Sequence, residues 1–266
     1  MTTHAPPVRI AVLGVGRMGQ EVMRAIASDD AFRLAALWTR KISAQEEEIV
    51  VSDDLTAVLS VADAAIDFSL PDATPTVLDA VIASEKPLVI GVSGLDDAVV
   101  NRISEASETV PVLYDRNMSL GIAVLDNLVR KAASGLGSGF EAEIHETHHV
   151  HKIDAPSGTA LKLGKSLAEA RGQDFEAVRR YDPAGLERPL DPGSIAFEVT
   201  REGEIAGEHT VIFESDSERV ELTHVAASRR VFADGALRAA RWLIDQTPGL
   251  YSMSDLAIQA GASSQA

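Results

Sequence analysis

Short apolar runs alternate with helix-like patterns through the first 119 residues. Five runs are apolar on both faces, which is typical of buried parallel strands: Val8–Leu13, Arg33–Leu37, Ala64–Phe68, Leu88–Val92 and Val112–Tyr114. Between them, the spacing of apolar positions predicts helices over Met18–Ala27, Ala73–Ser84 and Asp96–Ser107. This alternation predicts an α/β fold with a doubly wound parallel sheet.

The pattern changes after about residue 119. Helices are predicted over Leu120–Ala133 and Pro156–Ala170, on either side of a strand-like alternation over Glu141–His149. After a loop rich in Pro and Gly at Tyr181–Gly193, three strand-like runs follow without a helix between them: Ser194–Thr200, Glu208–Phe213 and Arg219–Val225. Consecutive strands predict a second, α+β domain built on an open mixed sheet. A helix over Ala233–Asp245 returns to the first domain, so the expected domains are 1–119 plus 229–266, and 120–228.

A glycine cluster separates the first predicted strand from the first predicted helix. The run is Gly14-Val15-Gly16-Arg17-Met18-Gly19, a GxGxxG pattern in the context that gives it meaning. The first glycine permits a tight turn, the second lets the backbone approach a pyrophosphate, and the third lets the helix pack against the strand. The cluster therefore predicts a Rossmann-like dinucleotide site, and the alternative is a purely structural glycine turn.

The end of the second predicted strand bears on the choice of nicotinamide cofactor. An acidic residue there binds the ribose 2′-hydroxyl of NAD, whereas an arginine accommodates the 2′-phosphate of NADP. The run Ala36-Leu37-Trp38-Thr39-Arg40-Lys41 has two cations and no acid, and the next carboxylates, Glu46–Glu48, come later. We predict that NADPH is preferred, with NADH as the lesser cofactor and Arg40 as the phosphate ligand. The alternative is a solvated basic turn.

Composition narrows the class of ligand. The chain has 266 residues, 24 basic and 40 acidic side chains, a formal net charge of −16 and no cysteine. Such a charge disfavours nucleic acid and anionic membranes as partners, and the lack of cysteine excludes disulfides and thiolate metal sites. With neither a long apolar run nor a signal-peptide pattern at the start, we expect a cytoplasmic protein. An anionic substrate would need a local positive site.

Four of the seven histidines cluster within seven residues. They are His145, His148, His149 and His151, and Lys152 follows them. Neither HExxH nor a zinc-finger spacing is present, so we expect no metal. A structural role at a sheet edge is the interpretation for His145. For the cluster as a whole we favour acid–base chemistry on an anion, because imidazole exchanges protons near neutral pH. Strand alternation would place His148 and Lys152 on one side.

The cluster leads directly into a predicted helix start. Ser157-Gly158-Thr159 precedes the helical stretch and would present hydroxyls and free backbone N–H groups to an anion. A cationic segment followed by an anion-binding helix start predicts a small substrate with one or two carboxylates. The alternative is a plain helix cap.

The stretch Glu146–Ala160 closely resembles the signature E-x-H-H-x-x-K-x-D-x-P-S-G-T-A of the 4-hydroxy-tetrahydrodipicolinate reductase (dihydrodipicolinate reductase) family. Further segments agree in the same order along nearly the whole chain: Gly16–Gly19, Gly91–Gly94, Asn117–Gly121, Gly207–His209, Ser228–Arg229, Phe232–Ala236 and Gly249–Met253. Family members reduce a cyclic hydroxy-dicarboxylate to tetrahydrodipicolinate, with loss of water, in bacterial lysine and diaminopimelate biosynthesis. They use NADH or NADPH and are usually homotetramers.

The resemblance implies roles for individual residues. His148 would be the proton donor or acceptor and Lys152 a second proton donor. His149, Gly158 and Thr159 would hold the dicarboxylate, beside the Ser157 considered above. The nicotinamide cofactor would be bound by three segments whose members are Gly14, Val15, Gly16, Arg17, Met18, Gly91, Val92, Ser93, Asp115, Arg116, Asn117 and Met118, beside the Gly19 and Arg40 considered above. Trp38-Thr39 stands where the family often has Glu-Arg, which also favours NADPH. The competing hypotheses are another Rossmann oxidoreductase acting on a small carboxylate and a non-catalytic NADP-binding regulator.

Overall fold

The computed structural model describes residues 6–40, 48–181 and 193–263. The chain divides into two compact units, Met1–Leu120 with Arg229–Ala266, and Gly121–Ser228. Each unit has its own sheet and its own hydrophobic core. Within the described ranges, no helix has both the length and the apolar character needed to cross a bilayer.

The first unit is built on a seven-stranded sheet whose neighbouring strands all run parallel. Its strands are β1 (Val8–Leu13), β2 (Phe32–Trp38), β3 (Val50–Ser52), β4 (Ala64–Asp67), β5 (Leu88–Ile90), β6 (Pro111–Tyr114) and β12 (Gly249–Tyr251). They are ordered β12-β6-β5-β4-β1-β2-β3. The order reverses between β1 and β4, as in a doubly wound Rossmann-like sheet.

Helices cover both faces of this sheet. They are α1 (Arg17–Ile26), α2 (Leu55–Ser60), α3 (Thr74–Ser84), α4 (Asp97–Ser107), α8 (Arg230–Leu243) and α9 (Met253–Ser263). Ala11 and Leu13 of β1 join a buried cluster with side chains of α2, α3 and α4. The alternate residues Ile10 and Val12 are equally buried and point to the other face. There α1 packs on β1 and against α8.

The second unit is built on a five-stranded mixed sheet. Its strands are β7 (Glu141–His148), β8 (Arg179–Tyr181), β9 (Ile195–Arg201), β10 (Gly207–Glu214) and β11 (Arg219–Ala226), ordered β11-β10-β7-β9-β8. Strand β7 pairs parallel with β9 and antiparallel with β10. Helices α5 (Leu120–Leu136) and α6 (Gly158–Ala170) pack their apolar residues on one face of the sheet, and α7 (Phe175–Val178) follows.

The predicted fold class is confirmed in both units, but several elements differ from the expectation. The apolar pattern missed β3, α2, α7, β8, β12 and α9, most of which are only three to six residues long and therefore show little periodicity. Tyr181 ends strand β8 rather than starting a loop, and the rest of that predicted loop, 182–192, lies outside the described residues. Strand β4 ends one residue before Phe68 because the backbone N–H of Ser69 turns back to Asp67 Oδ1.

Candidate active site

Strand β7 carries polar side chains on the apolar face of its sheet. Alternation places Ala142, Ile144, Glu146 and His148 on one face. The first two lie in the core under α5 and α6, and the last two form its polar end. Antiparallel pairing sets His209 of β10 directly opposite Glu146. The sheet register therefore brings two histidines and a carboxylate together at one end of the core.

The Glu146 carboxylate is the centre of this group, with its side chain fully buried. Its Oε2 lies 2.7 Å from His148 Nδ1. Its Oε1 accepts the backbone N–H of Ser157 at 2.8 Å and Nη2 of Arg201 at 3.1 Å. Burial alone would raise the pKa of Glu146, but the hydrogen bonds from His148, Ser157 and Arg201 outweigh it and lower the pKa to about 2. The carboxylate is therefore ionised at neutral pH.

His209 stands beside His148 in the same buried group. Their ring centroids are 5.0 Å apart in an edge-to-face arrangement, and His209 Nε2 lies 3.3 Å from Ser157 Oγ. Burial, followed by the charge of His148, lowers the pKa of His209 to about 3. His209 is therefore a neutral imidazole at working pH, and its interaction with Ser157 links β10 to the start of α6.

The backbone turns immediately after β7. The N–H of His149 is bonded to Ile205 O at 2.8 Å, and the N–H of Lys152 to His149 O at 3.1 Å. Strand alternation therefore stops at His148, and the shared side predicted for His148 and Lys152 does not come from a strand. Instead, Lys152 is three-quarters buried in this turn, and its Nζ lies 2.8 Å from Asp154 Oδ1.

The other histidines of the run lie in different surroundings. The His149 side chain is half-buried, with its ring 6.0 Å from that of His151, and His151 is exposed and lies 3.1 Å from Glu204. His145 points to the opposite face of the sheet, where its Nε2 lies 2.8 Å from Glu143 Oε2. The expected structural role of His145 thus has a specific partner.

Helix α6 begins at the polar end of the core. Ser157 is its N-cap, and the Ser157 Oγ accepts the N–H of Ala160 at 3.1 Å. Ser157 is buried, Thr159 is half-buried and Gly158 is exposed. A helix N-terminus carries partial positive charge and free N–H groups, so the exposed backbone at Gly158 is able to receive an anion.

Three side chains here could in principle hold a metal ion. Glu146, His148 and His209 each offer a ligand atom, and these atoms lie within 4.8 Å of one another. Tetrahedral zinc with ligands at about 2.0–2.1 Å would hold those ligands roughly 3.3 Å apart. The 2.7 Å between Glu146 Oε2 and His148 Nδ1 is shorter than this spacing and is that of a close ion pair. The spacing therefore fits an imidazole–carboxylate pair.

In the first unit, the predicted cofactor segments follow the carboxyl ends of neighbouring strands. The register pairs Leu13 with Trp38 and Asp67, Asp67 with Ile90, and Ile90 with Tyr114. These strand ends form one edge of the parallel sheet, where ligands of doubly wound folds bind. The segments that follow β1, β2, β5 and β6 there are 14–19, 39–40, 91–93 and 115–118.

The glycine turn after β1 has the geometry that its pattern predicts. Gly14 has φ +93°, and a Cβ there would stand 2.7 Å from Ser69 Cα. A Cβ on Gly19 would stand 2.0 Å from Gly14 O, so only glycine lets α1 approach this closely. At Gly16, the N-cap of α1, a Cβ would meet no described atom within 4 Å, and no described side chain caps the helix. The turn therefore fits a pyrophosphate at Gly16.

The remaining predicted cofactor residues differ in exposure. Arg40, Arg116 and Ser93 are exposed, whereas the side chains of Val92 and Met118 are buried in packing positions. The sequence did not indicate the acids that β3 brings to this edge. Trp38 Nε1 donates to the backbone oxygen of Asp53 at 3.0 Å, which places exposed Asp53 in the segment next to the end of β2.

Comparison with known proteins agrees with both units. The family model described as "Dihydrodipicolinate reductase, N-terminus" matches residues 8–118, and the one described as "Dihydrodipicolinate reductase, C-terminus" matches residues 121–257. The chain belongs to the dihydrodipicolinate reductase family. The resemblance of the sequence to this family is confirmed.

Similar proteins cover nearly the whole chain. The chain is 44% identical over 261 residues to the 4-hydroxy-tetrahydrodipicolinate reductase of Thiobacillus denitrificans, covering 94% of this chain and 98% of that protein. It is 45% identical over 251 residues to the same-named protein of Wolinella succinogenes, covering 93% and 98%. A solved dihydrodipicolinate reductase from Paenisporosarcina sp. TG-14, bound to dipicolinate, shares the fold with a TM-score of 0.77 and 21% identity, over 92% and 97% of the two chains.

Within this dihydrodipicolinate reductase fold, the structure adds three residues to which the sequence assigned no role. They are Glu146, Arg201 and His209. Two signals were available: Glu146 is two residues from His148 and therefore on the same strand face, and Gly207–His209 belongs to the family resemblance. Their partnership depends on β-sheet pairing, which the sequence alone does not specify.

Proposed function

We propose that this chain catalyses the NAD(P)H-dependent reduction of 4-hydroxy-tetrahydrodipicolinate to tetrahydrodipicolinate, with loss of water, in the diaminopimelate and lysine pathway. The observation that carries the proposal is the 44–45% identity, over nearly the whole chain, to relatives of that name. The buried His148 group beside the start of α6 supports it, since reduction of a dicarboxylate needs proton exchange next to an anion site.

His148 and Lys152 supply the proton chemistry in this proposal. A bound reduced nicotinamide supplies the hydride. Negative charge then develops on the substrate ring beside the reduced carbon and is neutralised by a proton from the imidazole or the ammonium group. Lys152 Nζ lies 2.8 Å from the half-exposed carboxylate of Asp154. A substrate carboxylate is a competing partner for that ammonium group, so Lys152 also contributes to binding.

Substrate binding is assigned to the start of α6 and the adjoining turn. Exposed backbone at Gly158 and the hydroxyl of Thr159 offer donors to one carboxylate, and Ser157 caps the same helix start. The family resemblance assigns half-buried His149, just after β7, to the same substrate. Holding the ring by its two carboxylates orients it for hydride and proton transfer.

Cofactor binding is assigned to the carboxyl edge of the first unit. The glycine turn at 14–19 would hold the pyrophosphate at the N-terminus of α1, and the segments 91–93 and 115–118 would complete the site. We propose that NADPH is preferred over NADH, because exposed Arg40 follows β2 and Glu48 is paired with Arg33 at 2.7 Å.

The domain roles and the assembly are also proposals. The first unit would bind the dinucleotide, and the second would bind the substrate and mediate a homotetramer. The family resemblance supports the tetramer, and a cytoplasmic location stays a prediction from the sequence. Sedimentation velocity of the purified chain measures the assembly directly.

A coupled assay tests the activity. The substrate is generated in situ, and oxidation of NADPH and of NADH is followed separately at 340 nm. The double variant His148→Gln/Lys152→Ala should lose at least ~10² in kcat. His151→Gln is the matched control, because His151 is an exposed histidine of the same run. Turnover of an amino acid instead would indicate a different oxidoreductase, and full activity of the double variant would contradict the assigned roles.

A further inference from the structure

We infer that Glu146 is the positioning residue of His148: its carboxylate holds the proton on Nδ1 and leaves Nε2 as the nitrogen that exchanges protons with the substrate. The inference rests on the proposed function for its catalytic consequence. The tautomer and the orientation of the His148 ring follow from the contacts of Glu146 and do not depend on that function.

The Glu146 carboxylate is held at both oxygens. Oε1 receives the N–H of Ser157 and the guanidinium of Arg201, and Oε2 lies 2.7 Å from His148 Nδ1. The side chain is fully buried. At this distance an ionised carboxylate would repel the lone pair of an unprotonated ring nitrogen, so Nδ1 carries the hydrogen. Proton exchange is thereby confined to Nε2.

Nε2 of His148 borders Gly207 at the start of β10. A Cβ on Gly207 would stand 3.0 Å from His148 Nε2 and 3.7 Å from His209 Cε1. Glycine at this position keeps β10 from pressing a side chain against the nitrogen. The ring is therefore anchored on its Nδ1 side and bordered by bare backbone on its Nε2 side.

Arg201 extends the same anchor to Lys152. Its Nε donates to Lys152 O at 3.2 Å and its Nη2 to Asp154 O at 2.6 Å, while the same Nη2 donates to Glu146 Oε1. The backbone that carries Lys152 is thus tied, through one guanidinium, to the carboxylate that orients His148. Loss of the charge at Glu146 would affect both of the proposed proton donors.

The electrostatic surroundings of the imidazole come from several elements. The titratable and charged side chains around it are Glu146 on β7, Lys152 and Asp154 in the following turn, Arg201 on β9, His209 on β10 and His224 on β11. Among these side chains, Glu146 makes the direct ion-pair contact with a ring nitrogen of His148. Removing the charge of Glu146 therefore takes away the ion-pair partner of His148 and leaves the other charged side chains in place.

The same strand contains a matched control. Glu143 Oε2 lies 2.8 Å from His145 Nε2 on the opposite face of the sheet, and its side chain is also nearly buried. Glu143→Gln thus removes the carboxylate charge from another histidine–carboxylate pair. That pair lies on the same strand but on the face away from His148.

The experiment compares wild type, Glu146→Gln and Glu143→Gln in the coupled assay over a range of pH. For Glu146→Gln we expect kcat to fall at least ~10-fold with a smaller change in KM. The dependence of kcat on pH should also change, because the charge beside the imidazole has been removed. Glu143→Gln should keep the wild-type profile. An unchanged kcat and profile in Glu146→Gln, with wild type active, overturns the inference while leaving the proposed function intact.

A second measurement needs neither activity nor a stable variant. In wild type labelled with ¹⁵N-histidine, the ring nitrogens of His148 are assigned by NMR in alkaline buffer. We expect the Nδ1–H tautomer. Detection of the Nε2–H tautomer overturns the inference. A wild type with the Nδ1–H tautomer but no turnover would instead contradict the proposed function.

Discussion

The Oε1 atom of Glu146 accepts the backbone N–H of Ser157 at 2.8 Å, although the two residues belong to different elements eleven positions apart. One is near the end of β7 and the other is the N-cap of α6. The contact joins the strand that carries His148 to the helix start proposed to bind the substrate carboxylate. Substitutions at the cap should therefore change both substrate binding and the free energy of unfolding.

Replacing Ser157 with Ala should separate these two effects. The variant loses the Oγ acceptor for Ala160 N–H but keeps its own N–H to Glu146. We expect a loss of about 1 kcal/mol in the free energy of unfolding and a several-fold rise in KM for the dicarboxylate, measured by denaturant titration and initial rates. Asp96→Ala is the control, because it removes the cap of α4 in the first unit. An equal rise in substrate KM in that control would contradict a binding role for Ser157.

Gly16→Ala should weaken cofactor binding without unfolding the protein. Its Cβ would meet no described atom within 4 Å, and its φ of −69° and ψ of −169° suit alanine. The added methyl group instead occupies the place proposed for the pyrophosphate. We expect the NADPH Kd to rise at least ~10-fold by calorimetry, with under ~1 kcal/mol change in unfolding free energy.

Gly19→Ala provides the opposite case. Its Cβ would lie 2.0 Å from Gly14 O, so it should destabilise the first unit as well as impair cofactor binding.

Normal NADPH affinity in Gly16→Ala would contradict the assignment of the pyrophosphate to Gly16.

Arg40→Ala should lower the preference for NADPH. We expect KM for NADPH to rise about 10-fold, with little change for NADH, because only NADPH has the 2′-phosphate. Arg33→Ala serves as the control, since it removes the same charge from the start of β2, where Arg33 is paired with Glu48. A preserved cofactor ratio in Arg40→Ala would disprove the assignment.

Asp67 should make the stability of the first unit depend on pH. Burial raises the pKa of this carboxyl from 3.8 to about 6, against the opposing hydrogen bonds from Ser69. The folded state therefore binds the proton more tightly than the unfolded state, and the stability due to Asp67 is present below about pH 4 and is lost as pH rises to 6.

The variant Asp67→Asn should remove this slope. At pH 7 its free energy of unfolding should exceed that of wild type by up to about 3 kcal/mol. This difference should shrink toward pH 4. Denaturant titrations at several pH values measure it, with exposed Asp30→Asn as the control. A constant difference across this range would show that Asp67 does not titrate as described.

Sequence patterns were sufficient for the elements whose physical cause is local. Buried parallel strands such as β1 are apolar on both faces, and the spacing of Gly14, Gly16 and Gly19 follows from the turn that a strand must make into a helix. Elements of three or four residues, such as β3 and β8, were missed because so few positions carry no period. The expected common side of His148 and Lys152 was derived from a strand that in fact ends at His148.

What the sequence determined by itself was the fold class, the glycine turn, and the family run with its histidines and lysine, because each of these is encoded by residues close together in the chain. Only the tertiary structure decided which side chains surround His148. Glu146 meets His209 and Arg201 across 63 and 55 positions because β7 pairs with β10 and β9 in one particular register. That register depends on packing the whole apolar face against α5 and α6, and no local pattern specifies it.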